Sequence, residues 1–101
     1  MPRPLFLLLA LLPALVQAAE PARPAKLGQC VGCHGANGRG LAPGTPHLAG
    51  QDEAYLNAAL RAYRSGSRQA APMNSIANTL QPRDIAALAR WYSQQAGTRT
   101  P

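Results

Sequence analysis

Little in this 101-residue chain could build a large core or a protein-only metal cage. It has four acidic residues, five aromatics and two cysteines. Strand-like alternation of apolar and polar residues is missing, which removes the βαβ setting expected of a redox-active dithiol. Structural zinc needs four protein ligands, and beyond Cys30, Cys33 and His34 only His47 remains among the usual donors. The main apolar stretch, Leu5 to Val16, is twelve residues long and interrupted by Pro13, whereas a spanning helix takes about twenty. No cysteine stands near its end to carry a lipid. The basic residues are dispersed and not interleaved with aromatics, which argues against nucleic acid as a partner. No internal repeat is present.

What is there begins with a segment that reads as an address and not as structure. Arg3 supplies a positive start, Leu5 to Leu12 an apolar run, and Val16-Gln17-Ala18 small residues at cleavage spacing. Residues 1–18 are therefore expected to be a secretory signal peptide, cut after Ala18 or one residue later. Residues 19–25, rich in proline and alanine, read as a flexible lead-in. A single domain is expected over residues 26–97, with residues 98–101 as a tail. Removing the signal leaves 83 residues and a formal charge of +5, one less than that of the whole chain because Arg3 is lost. A domain of this size sits at the lower end of what can bury a useful core. Its aromatics are Tyr55, Tyr63, Trp91 and Tyr92.

One stretch names a chemistry. Cys30-Val31-Gly32-Cys33-His34 is the Cys-x-x-Cys-His attachment signature of a c-type haem. Two thiols on one helical turn can reach the two vinyl groups of a haem and form thioethers, and the adjoining imidazole supplies an axial ligand. A disulfide across so short a loop is the bland alternative; it explains neither the histidine nor the glycines around it. A covalently held haem would also supply apolar area that the sequence lacks. Export agrees, because bacterial haem attachment of this kind takes place outside the cytoplasm.

Helical spacing organises the remainder. A short helix is expected from Pro24 through Lys26, Leu27 and Gln29 into the cysteine motif. Gly35 to Pro46, with four glycines and two prolines, reads as an irregular loop at one edge of the cofactor. Tyr55, Leu56, Ala59, Leu60 and Tyr63 mark one stripe of a helix between Gln51 and Arg64, ended by Ser65-Gly66. Asp52 and Glu53 at its start, and Arg61 and Arg64 at its end, suit the helix dipole. Pro82, Asp84, Ile85, Leu88, Ala89 and Tyr92 mark a final helix, with Gly97 as its expected stop. Gln69 to Asn74 is polar and loop-like. Met73 there is the only methionine left once Met1 departs with the signal, and it is the leading candidate for a second axial ligand. His47 is the rival, and Lys26 a ligand only for an altered state.

The chain resembles short bacterial class I cytochromes c, especially one half of the tandem two-haem periplasmic cytochromes and their single-haem relatives. The resemblance rests on Cys30 to Gly35, on Pro46 to Gln51 as P-x-L-A-G-Q, and on Tyr63 to Arg68 as Y-x-x-G-x-R. Met73 with Ile76-Ala77 and Leu80, and Asp84-Ile85 with Leu88-Ala89 and Trp91-Tyr92, extend it over most of residues 26–95. It implies an all-α, small cytochrome c fold, three to five short helices wrapped around one covalently attached haem. It implies thioethers at Cys30 and Cys33 and axial ligation by His34 and Met73. Pro46 would accept a hydrogen bond from the second ring nitrogen of His34, Arg68 would lie near a haem propionate, and Asn74 and Asn78 would tune Met73 by hydrogen bonding. The family's first helix is usually longer, with a glycine or aromatic crossing the last helix; here Arg23, Pro24 and Lys26 occupy that region.

The function so implied is that of an electron carrier and not an enzyme, exported to the periplasm, with redox proteins as partners and an acidic docking surface on them facing the dispersed arginines. Two other readings stay open. The chain would be the haem subunit of a larger dehydrogenase, oxidase or sulfur-oxidising complex, or, with Met73 unbound, a site for peroxide or gas chemistry.

Overall fold

The computed structural model describes residues 1–15 and 22–97. The expected cleavage point after Ala18 and the expected tail at residues 98–101 lie outside them. Residues 1–15 are exposed and carry neither helix nor strand. Among the described residues the structure is all-α, with helices α1 (Gly28–His34), α2 (Glu53–Ser65), α3 (Met73–Asn78) and α4 (Pro82–Ser93). None is long and apolar enough to cross a membrane.

Each long helix starts and stops where its sequence supplies the missing hydrogen-bond partners. Asp52 caps α2, its Oδ2 accepting from the Tyr55 N–H at 2.9 Å. Gly66 ends the same helix in the left-handed conformation, at φ 84°, where a side chain would cost energy. At α4, Asp84 Oδ2 reaches back to the Gln81 N–H at 2.8 Å, and Pro82 occupies the first turn, where no amide hydrogen is needed. Helix α4 closes at Ser93, with Gln94 in right-handed geometry as its cap. Gly97, the expected stop, lies beyond the helix and runs beside the Gly50 backbone. Helix α1 is shorter at its front than expected, because residues 25–27 form a turn, with the Leu27 N–H donating to the Pro24 carbonyl at 3.1 Å. Pro24 is buried, so the lead-in is already packed at that point. Of the loop-like stretch Gln69 to Asn74, residues 69–72 are non-helical as expected, but Met73 and Asn74 open helix α3.

The core is small. Leu27, Leu56, Leu80, Ile85, Leu88, Ala89 and Tyr92 form one buried cluster, flanked by Cys30, Val31, Leu48, Leu60 and Trp91. These residues come from all parts of the domain, so the helices are tied together by a handful of side chains. Two adjacent residues of α4 close the structure at long range. Tyr92 donates its hydroxyl hydrogen to the Gly35 carbonyl at 2.9 Å, and Trp91 Nε1–H donates to the Ala36 carbonyl at 2.7 Å. The junction between the first and last helices is thus made by aromatic side chains reaching the backbone just past His34. It does not depend on a glycine or aromatic early in the first helix.

Gly38 shows how tightly the following loop is folded back. Its φ is 81°, its carbonyl accepts from the N–H groups of Leu48 and Ala49, and a Cβ there would lie 2.6 Å from the Ala49 nitrogen. Only glycine meets both demands.

Burial pushes the Tyr92 phenol well above its ordinary value of 10.0. The raised value means that the native state holds the proton more tightly than the unfolded chain. The associated stability is complete below about pH 10 and declines as pH rises past it. Tyr92→Phe leaves the Gly35 carbonyl without its partner and is expected to destabilise the holoprotein by about 1–3 kcal/mol. Denaturant titrations at neutral pH and above pH 10 should show the deficit shrinking in alkali.

Candidate haem site

A cavity of about 600 Å³ opens among all four helices, within the range of ordinary cofactor pockets. All six residues singled out from the sequence line it: Cys30, Cys33 and His34 from α1, Pro46 from the following loop, Arg68 from the α2–α3 connection, and Met73 from the start of α3. Leu48, Leu56, Leu60, Ile76 and Leu88 contribute apolar wall. Residues that are scattered over more than forty positions are therefore brought to one surface.

On α1 the three motif residues differ in environment. Cys30 is half-buried, Cys33 is exposed, and His34 is buried at 8% exposure. Both thiols are free. Burial pushes the Cys30 thiol above its ordinary value, which is the wrong direction for a redox dithiol, whose attacking thiol must be acidified. Among the described residues no three His, Cys, Asp or Glu side chains converge as a metal cage, so a zinc site would lack its donor set.

The orientation of His34 is set by the loop. Its Nδ1 lies 2.9 Å from the Pro46 carbonyl oxygen. A carbonyl can only accept, so Nδ1 carries the hydrogen and donates it, leaving Nε2 with a free lone pair. Proline suits this role because its own missing N–H leaves the segment with one amide fewer to satisfy. His47 also borders the cavity, but its Nδ1 accepts from the Gly40 N–H at 2.9 Å. That engagement gives His47 a structural task in the loop. Lys26 is not part of the cavity wall.

On the other side, Arg68 is held at the rim by two tyrosines. Its guanidinium stacks over the Tyr63 ring, 4.8 Å from the centroid, and Nη1 donates to the Tyr55 hydroxyl at 3.4 Å. The chain therefore presents a fixed positive charge beside an apolar opening. Asn74 bonds the backbone around Met73, and Asn78 is exposed.

Free thiols on one helical turn, an imidazole with its outer nitrogen already engaged, a thioether and an apolar cradle together form a donor set and shape that suit a haem. Comparison with known proteins agrees. Residues 22–95 match the Cytochrome c family model.

The chain belongs to the cytochrome c family.

Cytochrome c-554(548) of Halomonas halodenitrificans is 48% identical over 72 residues, which cover 68% of this chain and 87% of that protein. The thiosulfate dehydrogenase electron acceptor of Thiomonas intermedia is 41% identical over 83 residues, covering 81% of this chain and 36% of that protein. In the crystal structure of reduced recombinant cytochrome c4 from Pseudomonas stutzeri, a superposition with TM-score 0.63 and 35% identity covers 72% of this chain and 43% of that one. This cytochrome thus spans less than half of the last two proteins. Its cofactor is a covalently bound c-type haem, its fold that of cytochrome c, and the chemistry of the family is electron transfer through that haem.

The motif spacing assigns the covalent links to Cys30 and Cys33. Wild-type holoprotein is expected to keep its colour in the protein fraction after acid–acetone extraction and to exceed the bare polypeptide mass by one haem. The double substitution Cys30→Ser, Cys33→Ser should release all colour into the solvent, and mass spectrometry of each fraction checks both statements.

Proposed function

We infer that this cytochrome is a periplasmic one-electron carrier in which His34 and Met73 hold the iron from two different elements of the fold. The observation that carries this reading is that one cavity is bordered by both side chains, with His34 already fixed through Nδ1 and Met73 at the first turn of α3. The bound haem supplies the ferrous–ferric couple. His34 would contribute a nitrogen ligand made more basic by its hydrogen bond to Pro46. Met73 would contribute a soft sulfur that favours the reduced state and raises the potential. With both positions taken, no face stays open for substrate, which is why the carrier reading is preferred to an enzymatic one. Arg68, pinned by Tyr55 and Tyr63, would add a positive charge near the haem carboxylates.

Exchange of electrons requires an approach to the cofactor's edge, and Cys33, exposed and bordering the cavity, would lie at that edge. Arg39, Arg61, Arg64, Arg68 and Arg83 are exposed, and the ion pair among the described residues, Arg90 with Glu53 at 3.6 Å, involves a different arginine. An acidic partner surface meeting these cations in a brief encounter fits that distribution. A second reading, as the haem subunit of a larger complex, is favoured by one finding: two relatives are named thiosulfate dehydrogenase electron acceptors, and both are longer than this chain.

Ferric wild-type protein is expected to show the red sulfur-to-iron absorption band. Met73→Ala should abolish it and lower the reduction potential, whereas His47→Ala should keep it. Wild-type protein without the band, or a Met73→Ala variant that retains it, would exclude the ligation. Periplasmic fractions are expected to contain a shortened chain whose amino-terminal sequence starts at Ala19 or Glu20; accumulation of full-length chain in the cytoplasm would exclude export.

A further inference from the structure

Met73 is placed by two dissimilar anchors. Towards the C-terminus, α3 is held by burial: Ala77 is 0% and Leu80 1% exposed. Towards the N-terminus, every residue from Arg64 to Pro72 is exposed. Burial therefore cannot hold that segment, and any restraint on it must come from hydrogen bonds.

Ser65, Ser67 and Arg68 bond back to Ala62, to Tyr55 and to one another at the α2 end, and the Asn74 side chain supplies the bonds that join this segment to α3. Asn74 Oδ1 accepts from the Ala70 N–H at 2.8 Å, while its Nδ2 donates to the Tyr63 carbonyl and to the Arg68 carbonyl, each at 2.9 Å. Tyr63 belongs to the end of α2, so these three bonds tie the closing turn of one helix to the opening turn of the next and gather the connection between them. Both amide hydrogens of Asn74 are consumed. None is left for the Met73 sulfur, and the direct tuning of that sulfur suggested by the sequence has no donor from this residue. The Asn74 backbone N–H adds a bond to the Ala70 carbonyl at 3.2 Å.

We propose that Asn74 is a positioning residue for the sixth iron ligand: it keeps Met73 in the cavity wall by tying the α2–α3 connection shut, and its release lets the sulfur leave and an outside ligand enter. This rests on the assignment of Met73 as ligand. Two of the three bonds are solvent-accessible and the one to Tyr63 is part-buried, so the restraint is modest and the closed state dominates by a limited factor. Asn74 thereby sets how readily the six-coordinate carrier exposes an open iron position, without touching the iron itself.

The test uses ferric holoprotein and imidazole as the competing ligand. Asn74→Ala removes all three side-chain bonds; Asn74→Asp keeps the shape and the acceptor for Ala70 but loses both donors. Each is expected to bind imidazole about tenfold more tightly than wild type, as loss of a bond of ordinary strength implies. Each should also show a weaker red sulfur band and a lower potential. Ser75→Ala, on the exposed side of the same helix, should match wild type. Wild-type imidazole affinity together with an intact band in both Asn74 variants would overturn the proposal. Should Asn74→Ala fail to accumulate, amide exchange at Ala70 in the wild type decides: protection lost in the imidazole adduct supports the proposal, and unchanged protection overturns it. A wild-type protein lacking the band altogether would instead remove the ligation on which the proposal stands.

Discussion

The hydrogen bond from His34 to the carbonyl of Pro46 is the constraint around which the remainder of the domain is arranged. It joins the last residue of α1 to the far end of an irregular loop, and it decides which imidazole nitrogen faces away from the backbone. For the bond to form, the chain between the two residues must fold back on itself. Gly38 makes this possible by accepting a conformation and a backbone approach that no side chain tolerates. Trp91 and Tyr92 then fasten the Ala36 and Gly35 carbonyls to α4, so the loop is braced from the opposite end of the sequence. Loss of any of these would disturb the orientation of His34 before it disturbed the helices.

The opposite wall follows a different logic. There the chain has few large apolar residues to spare, and the connection between α2 and α3 is exposed throughout. It is shaped by polar contacts: Asn74 to three backbone groups, Arg68 across Tyr63, and Ser65 to the Ala62 carbonyl. Hydrogen bonds that are buried or part-buried on the histidine side, and largely solvent-accessible on the methionine side, leave the two walls mechanically unequal. Opening is expected where water competes for the bonds, because such bonds contribute less to stability than apolar burial does. Under the proposed ligation, the side that opens more readily is that of Met73.

Much of this fold is legible in the amino-acid sequence. The two long helices are marked by apolar spacing and by Asp52, Gly66, Pro82 and Asp84, all of which act locally, within a turn of where they stand. The cysteine motif points to a haem, and the family match confirms the cofactor. Helix α3 carries no such mark, because it is six residues long and its start, Pro72-Met73-Asn74, has loop composition; burial of Ala77 and Leu80 holds it, and burial is a tertiary quantity. Gly97 is not the helix stop that its position suggests, because α4 ends on a non-glycine cap; where the two backbones pass, it is Gly50 that has no room for a side chain, since a Cβ there would lie 2.9 Å from the Gly97 Cα.

The amino-acid sequence alone determined the attachment chemistry, the helical periodicity and the caps, since each depends on residues within a few positions of one another. The tertiary structure decided that Pro46 meets His34, that Trp91 and Tyr92 reach across 55 and 57 residues to the Ala36 and Gly35 carbonyls, and that the amide of Asn74 is spent on the backbone. Those pairings join groups whose partners are main-chain atoms, present at every position and therefore carrying no signature in the sequence until the chain is folded.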